Sequence, residues 1–149
     1  GVSFNLGVTT VTWTVIDNTG NSQTCSFDVT VTDDQLPAFT ACGPGSDQNV
    51  VTDLAACSYT NNGTGWDAVV SDNCTISSTT YTLTGATTGT GTTLDGVSFN
   101  LGTTTVTWTV IDNSGNSDNC NFDVIVTDTQ LPEISSCGPS GNQTVNADH

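Results

Sequence analysis

The sequence has no lysine, no arginine and no methionine, and it has a single histidine, His149, and a single glutamate, Glu133. Each gap removes a class of function. Counterions on a phosphate backbone are displaced by Lys and Arg, so nucleic-acid binding is not expected, nor is adsorption to anionic lipid. Without lysine no isopeptide bond to Asn or Asp can form, and trypsin has nowhere to cut. An activated nucleophile needs a base and a group to orient that base. One histidine, no lysine and one glutamate do not supply such a set, so an enzyme is not expected. Asp33 and Asp34 come nearest to the paired carboxylates of a glycosidase, but neighbours on an extended chain point to opposite faces. No apolar run reaches 18 residues, so the sequence offers no membrane-spanning helix.

What is present is acid, cysteine and a regular apolar pattern. The fifteen carboxylates give a formal net charge of −15, whereas soluble domains are usually about a quarter charged with both signs present. Acidity of this kind often accompanies disorder, but here a third of the residues are apolar and they alternate, which predicts a core. The six cysteines point to an oxidising compartment in which disulfides persist.

The chain also repeats itself. Gly1–Leu54 aligns without a gap on Gly96–His149, an offset of 95 residues that matches Phe4 with Phe99, Trp13 with Trp108, Cys25 with Cys120 and Cys42 with Cys137. A period of this size is that of a whole domain rather than of a solenoid unit. The sequence therefore reads as about one and a half units of a longer string: 1–35 the end of one unit, 36–130 a complete unit, and 131–149 the start of the next.

Within Thr9–Asp17, Val11, Trp13 and Val15 share one face and Thr10, Thr12 and Thr14 the other, the two-residue period of a strand with one wet side. The cluster Asp17-Asn18-Thr19-Gly20-Asn21-Ser22 predicts a turn, and Cys25, Phe27, Val29 and Val31 then alternate in the same way, completing a hairpin. Thr104–Thr127 is its twin. Trp13 and Trp108 are in phase with their valines and are expected in cores. Further short strands are expected at Ala38–Ala41, Gln48–Thr52, Ala68–Ser71, Thr79–Leu83 and around Val97–Leu101, and Gly85–Gly96 reads as a Thr/Gly-rich loop or loose strand. Seven or so short strands without a helical period predict an all-β protein, an antiparallel β-sandwich. Pro37 and Pro132 end strand pairing in the two related stretches Thr32–Pro37 and Thr127–Pro132, which we read as linkers.

The stretch Leu101–Asp128, followed by Leu131–Gly138 and joined by Ser71-Asp72-Asn73-Cys74 in the central unit, resembles the hyalin repeat, an immunoglobulin-like extracellular module. One departure is Cys-Gly-Pro at Cys42–Pro44 and Cys137–Pro139, where the family usually has Cys-Pro. The resemblance implies tandem immunoglobulin-like sandwiches and an adhesive or structural role. Such modules occur in animal matrix proteins and in long acidic arrays of surface adhesins and filaments of Bacteroidota.

In an immunoglobulin-like sandwich the first and last strands are neighbours, so Cys42 is expected to bridge Cys120. Cys57 is then expected to pair with Cys74, leaving Cys25 and Cys137 for neighbouring repeats. The competing arrangement joins Cys25 with Cys42 and Cys120 with Cys137, at equal spacings of 17 residues. Zinc is disfavoured, since no Cys-x-x-Cys pair exists.

Asp33, Asp34 and Asp128 in the linkers, Asp112 (with its counterpart Asp17) beside the turns, and Asp72 are candidate calcium ligands that would stiffen the joints between units. The competing reading makes them solvated or turn-capping groups. Asn62, Asn73 and Asn142 each open an Asn-x-Thr sequon, and Thr87, Thr88, Thr90, Thr92 and Thr93 could carry O-linked sugars. Trp66 is the aromatic residue best placed for sugar stacking, although its alternation with Ala68 and Val70 also suits a core. Two functions remain. One is a disulfide-locked structural repeat of an extracellular filament or cell-surface adhesin stalk, with adjacent copies, polysaccharide or other surface proteins as partners. The other is a calcium-dependent carbohydrate- or protein-binding accessory module of a secreted enzyme.

Overall fold

The structure, a computed structural model, describes residues 1–136, 138 and 141–144. Two copies of the same hairpin frame it. Strands β1 (Gly7–Ile16) and β2 (Ser22–Val31) pair antiparallel with Trp13 opposite Cys25. Between the copies lie β3 (Ala38–Ala41), β4 (Gln48–Val51), β5 (Ser58–Thr60), β6 (Val69–Ser71), β7 (Ile76–Gly85), β8 (Gly89–Gly91) and β9 (Ser98–Asn100). The second hairpin, β10 (Gly102–Asp112) with β11 (Ser117–Thr127), repeats the register of the first, Trp108 lying opposite Cys120.

The second hairpin is the centre of a five-stranded sheet in the order β4-β11-β10-β7-β8, and the pairs β3-β6 and β5-β9 lie apart from it. Strict alternation decides which side of the hairpin is buried. Val106, Trp108 and Val110 of β10, and Phe122, Val124 and Val126 of β11, are all buried, as are Tyr81 and Leu83 of β7. Leu94 and Phe99, both fully buried, are the other large apolar residues of the core. The result is the expected all-β sandwich.

Three details differ from the expectation. The sandwich is not wholly antiparallel, because β4 runs parallel to β11. The Gly43–Asp47 segment carries the chain from β3, which pairs with β6, to β4 at the edge of the main sheet. Gly43 makes that passage with φ +58°, and a Cβ there would lie 2.7 Å from the Trp66 carbonyl oxygen and 2.8 Å from the Phe122 ring. Second, the stretch read as a loop or loose strand contains a definite strand, β8, which pairs with β7. Gly91 permits this, since a Cβ in its place would be 2.7 Å from the Tyr81 hydroxyl. Third, β5 pairs with β9 through Tyr59 opposite Phe99.

The first hairpin keeps the register of the second but differs from it in burial. Trp13 is 66% exposed and Phe27 51%, where Trp108 and Phe122 are buried. The expectation that Trp13 lies in a core is therefore not met in this chain. Its face is set by the same alternation, but among the described residues no second layer covers that face.

Candidate functional site at the module joint

Chain entry and chain exit define two ends. At the entry end, the β10–β11 turn is built by Asp112, whose Oδ1 accepts hydrogen bonds from the backbone N–H groups of Ser114 and Asn116, each at 2.8 Å. Its Oδ2 accepts from the Asn116 side-chain amide at 2.8 Å. Asp17 builds the first hairpin's turn through the same bonds from Thr19 and Asn21, which hold its carboxyl far below the usual carboxylate range, the Asn21 side chain contributing most. Both aspartates are thus turn-forming groups whose oxygens are already engaged.

The Asp33–Gln35 segment lies against this turn. Asp33 Oδ2 accepts from the Ser114 hydroxyl at 3.3 Å, and the Asp33 carbonyl accepts from the Asn116 amide at 3.2 Å. Asp33 Oδ1 accepts from the Asn73 amide at 3.3 Å and from the Gln35 backbone at 3.2 Å. The Cys74 thiol lies beside the Asp33 carboxylate, and this interaction is the largest cause that lowers the Asp33 pKa and raises that of Cys74. Asp72 Oδ2 accepts from the Cys74 backbone N–H at 2.8 Å, while its buried Oδ1 has no partner. Ligand atoms of Asp33, Asp72 and Cys74 lie within 4.8 Å of one another.

That cluster fits calcium poorly. Ca²⁺ takes six to eight oxygen ligands. Here two carboxylates converge, the third donor is a thiol, and Asn73 turns its nitrogen toward Asp33. Of the six aspartates named from the sequence, the fold brings Asp33 and Asp72 together. Asp112 is buried 2% exposed within its own turn, Asp34 is exposed, and Asp128 lies at the other end of the module.

At the exit end, Asp128 Oδ1 accepts from the Gln130 backbone at 2.8 Å and from the Thr52 hydroxyl at 3.5 Å. The Gln130 side chain donates to the Asp53 carbonyl at 2.9 Å and accepts from the Ala55 N–H at 3.4 Å. The Asp128–Gln130 segment is thereby fastened to the turn that runs from Asp53 to Ser58, closed by the Asp53 N–H on the Ser58 carbonyl at 2.7 Å.

Cys42 and Cys120 form a disulfide that spans 78 residues and ties β11 to the segment following β3. Cys57 and Cys74 do not pair; both are exposed thiols, as is Cys25. The Cys57 carbonyl accepts from Leu101 at the start of β10, whereas Thr75, next to Cys74, bonds Asn113 just beyond its end. An 11-residue strand at about 3.3 Å per residue sets the two cysteines roughly 35 Å apart, far beyond the ~7 Å limit of a disulfide. Cys137 lies outside the described residues.

Trp66 packs inward, stacked on Tyr59 at 5.7 Å and edge-on to Phe99 and Phe122 at 5.7 and 6.3 Å, and so presents no open platform for a sugar ring. The sequon residues Asn62, Asn73 and Asn142 are exposed. The amides of Asn62 and Asn73 are engaged, with the Thr60 carbonyl and with Asp33. Thr88, Thr90 and Thr92 are exposed, while Thr93 donates to Asp67 and Thr87 accepts from the Asn100 N–H. The Asp33–Cys74 contact escaped the sequence reading because 41 positions separate the two residues. Among the described residues no helix is long and apolar enough to cross a membrane.

A disulfide-tied β-sandwich whose polar groups form turns and linker contacts rather than a cleft is a repeat module. A family model for the HYR domain matches residues 1–31 and 66–126, two segments that contain the two hairpin copies. The chain belongs to the HYR domain family, whose members are non-catalytic and typically extracellular modules. No curated protein matches it.

Proposed function

We propose that this chain is a stretch of an extracellular stalk or filament, such as a cell-surface adhesin, in which disulfide-locked β-sandwiches follow one another end to end. In this reading 1–35 close one module, 36–130 form the next and 131–149 open a third. Adjacent copies are the principal partners.

The carrying observation is the placement of the two linkers. Asp33 sits beside the Asp112–Asn116 turn at one end of β10, and Asp128 beside Thr52 and Asp53 at the other. A module entered at one end and left at the other passes tension along its length. Module copies then stack lengthwise rather than folding back, and the uniform negative charge keeps neighbouring fibres apart. The exposed face of the first hairpin, whose counterpart is core, fits the same reading.

The test is to join residues 1–95 to residues 1–149 in register, add further 95-residue repeats, and measure maximum dimension by small-angle X-ray scattering. Each repeat should add roughly 35–40 Å, the length of an 11-residue strand with its turn. A dimension that grows only as the cube root of mass would exclude the stalk.

A further inference from the structure

Each 95-residue period that holds Cys42, Cys57, Cys74 and Cys120 uses two of them for its own bridge and leaves Cys57 and Cys74 exposed at opposite ends. What lies beyond each end follows from the repeat. Asp33 and Asp128 are the same position of the period, and so are Gln35 and Gln130. At its start, this linker touches the Asn73–Cys74 loop of the module that follows it, through Asp33. Two residues later it touches the Asp53–Cys57 turn of the module that precedes it, through Gln130. Wherever two copies are consecutive, the three residues of one linker therefore lie between Cys57 of the first copy and Cys74 of the second. Three extended residues span about 10 Å, and both sulfurs sit on exposed turns flanking them.

We propose that Cys57 of each module forms a disulfide with Cys74 of the next, stapling every joint. The inference rests on the tandem reading above. With it, each joint has two covalent connections, the linker and the staple, so that bending and torsion are limited and a single proteolytic nick in the linker does not sever the fibre.

The chemistry needs an oxidant, and a small-molecule disulfide RSSR supplies it. The Cys57 thiolate attacks one sulfur of RSSR, forming a mixed disulfide and expelling RS⁻. The thiolate of Cys74 then attacks the Cys57 sulfur and expels the second RS⁻. Two protein thiols are oxidised to one S–S bond, RSSR is reduced to two RSH, and the two thiol protons end on those products.

The experiment uses residues 1–95 followed by residues 1–149, with Cys74 of the first copy and Cys57 of the second changed to serine. A single Cys57 and a single Cys74 then flank one joint. The chain is oxidised with glutathione disulfide at high dilution, the monomer is isolated, unreacted thiols are alkylated, and the chain is cut with an aspartate-directed protease and mapped without reduction. The expected product is a Cys57–Cys74 linked peptide pair in most molecules, alongside closed Cys42–Cys120-type bridges. If those bridges close and scattering shows an elongated particle, but Cys57 and Cys74 are both alkylated, the staple is wrong and the stalk stands. If the particle is compact and the second sandwich fails to form, both are wrong.

Discussion

Removing the bridge between Cys42 and Cys120, by Cys42→Ala together with Cys120→Ala, should cost the complete module much of its stability. The bond closes a span of 78 residues. On the chain-entropy model such a loop restricts the unfolded ensemble by about 4.5 kcal/mol at 25 °C, an upper figure for a native bridge. For a module of about 95 residues, the unfolding entropy converts 1 kcal/mol into about 5 °C, so the expected fall in Tm is about 20 °C. Near-ultraviolet circular dichroism reports this well, because Trp108 is buried and Trp66 is packed among aromatic rings, whereas Trp13 is exposed and contributes little to the transition. Native protein melted in dithiothreitol should unfold within a few degrees of the double variant, which separates the bond from the packing of its sulfurs. A fall of less than about 5 °C in both would refute the view that this bridge is what closes the sandwich.

Gly43→Ala should destabilise by about 2–4 kcal/mol, since the new Cβ meets the Trp66 carbonyl and the Phe122 ring at a residue with φ +58°; chemical denaturation with an unchanged m-value would show it. The Asp33–Cys74 pair predicts a stability profile bounded on both sides. Asp33, with its pKa lowered, contributes above the unfolded carboxyl value near 4 and loses that contribution as pH falls through its folded value; Cys74, raised, contributes below the unfolded thiol value and loses it as pH rises. Melting temperature should therefore be flat between about pH 5 and pH 8 and decline beyond each limit, and Asp33→Asn should quicken iodoacetamide alkylation of Cys74 at about pH 8; an unchanged alkylation rate would contradict the contact. A chelator should leave the melting curve in place, because only Asp33 and Asp72 of the calcium candidates converge and their third partner is sulfur; a shift of several degrees would establish a cation at the joint.

How much of this was legible in the sequence depended on the length and regularity of each element. The alternation of Val106, Trp108 and Val110 against threonines identified β10 and its buried face, and the doubling of the sequence identified the first hairpin, β1 with β2. Strand β5 escaped, and β8 was legible only as a loop or loose strand, because three residues carry no period; their pairing is set by Phe99 opposite Tyr59 and by the bare Cα of Gly91 under Tyr81, partners distant in sequence. Cys42 with Cys120 followed from first and last strands being neighbours, as the resemblance implied. Pairing Cys57 with Cys74 failed because spacing along the chain says nothing about ends, and the intervening path carries them to opposite ends of β10. Trp13 carries the same local signal as Trp108, but burial needs a second layer that alternation alone does not provide.

The account is tested most directly by pulling. A chain extended in register to several repeats, stretched by atomic force microscopy, should lengthen under non-reducing conditions only by the 17 residues between Cys120 of one module and Cys42 of the next, about 60 Å or less per module. In reductant the same chain should give a regular sawtooth whose steps release whole 95-residue periods, roughly 300 Å each. Irregular steps, or the same extension with and without reductant, would contradict a string of separately locked sandwiches.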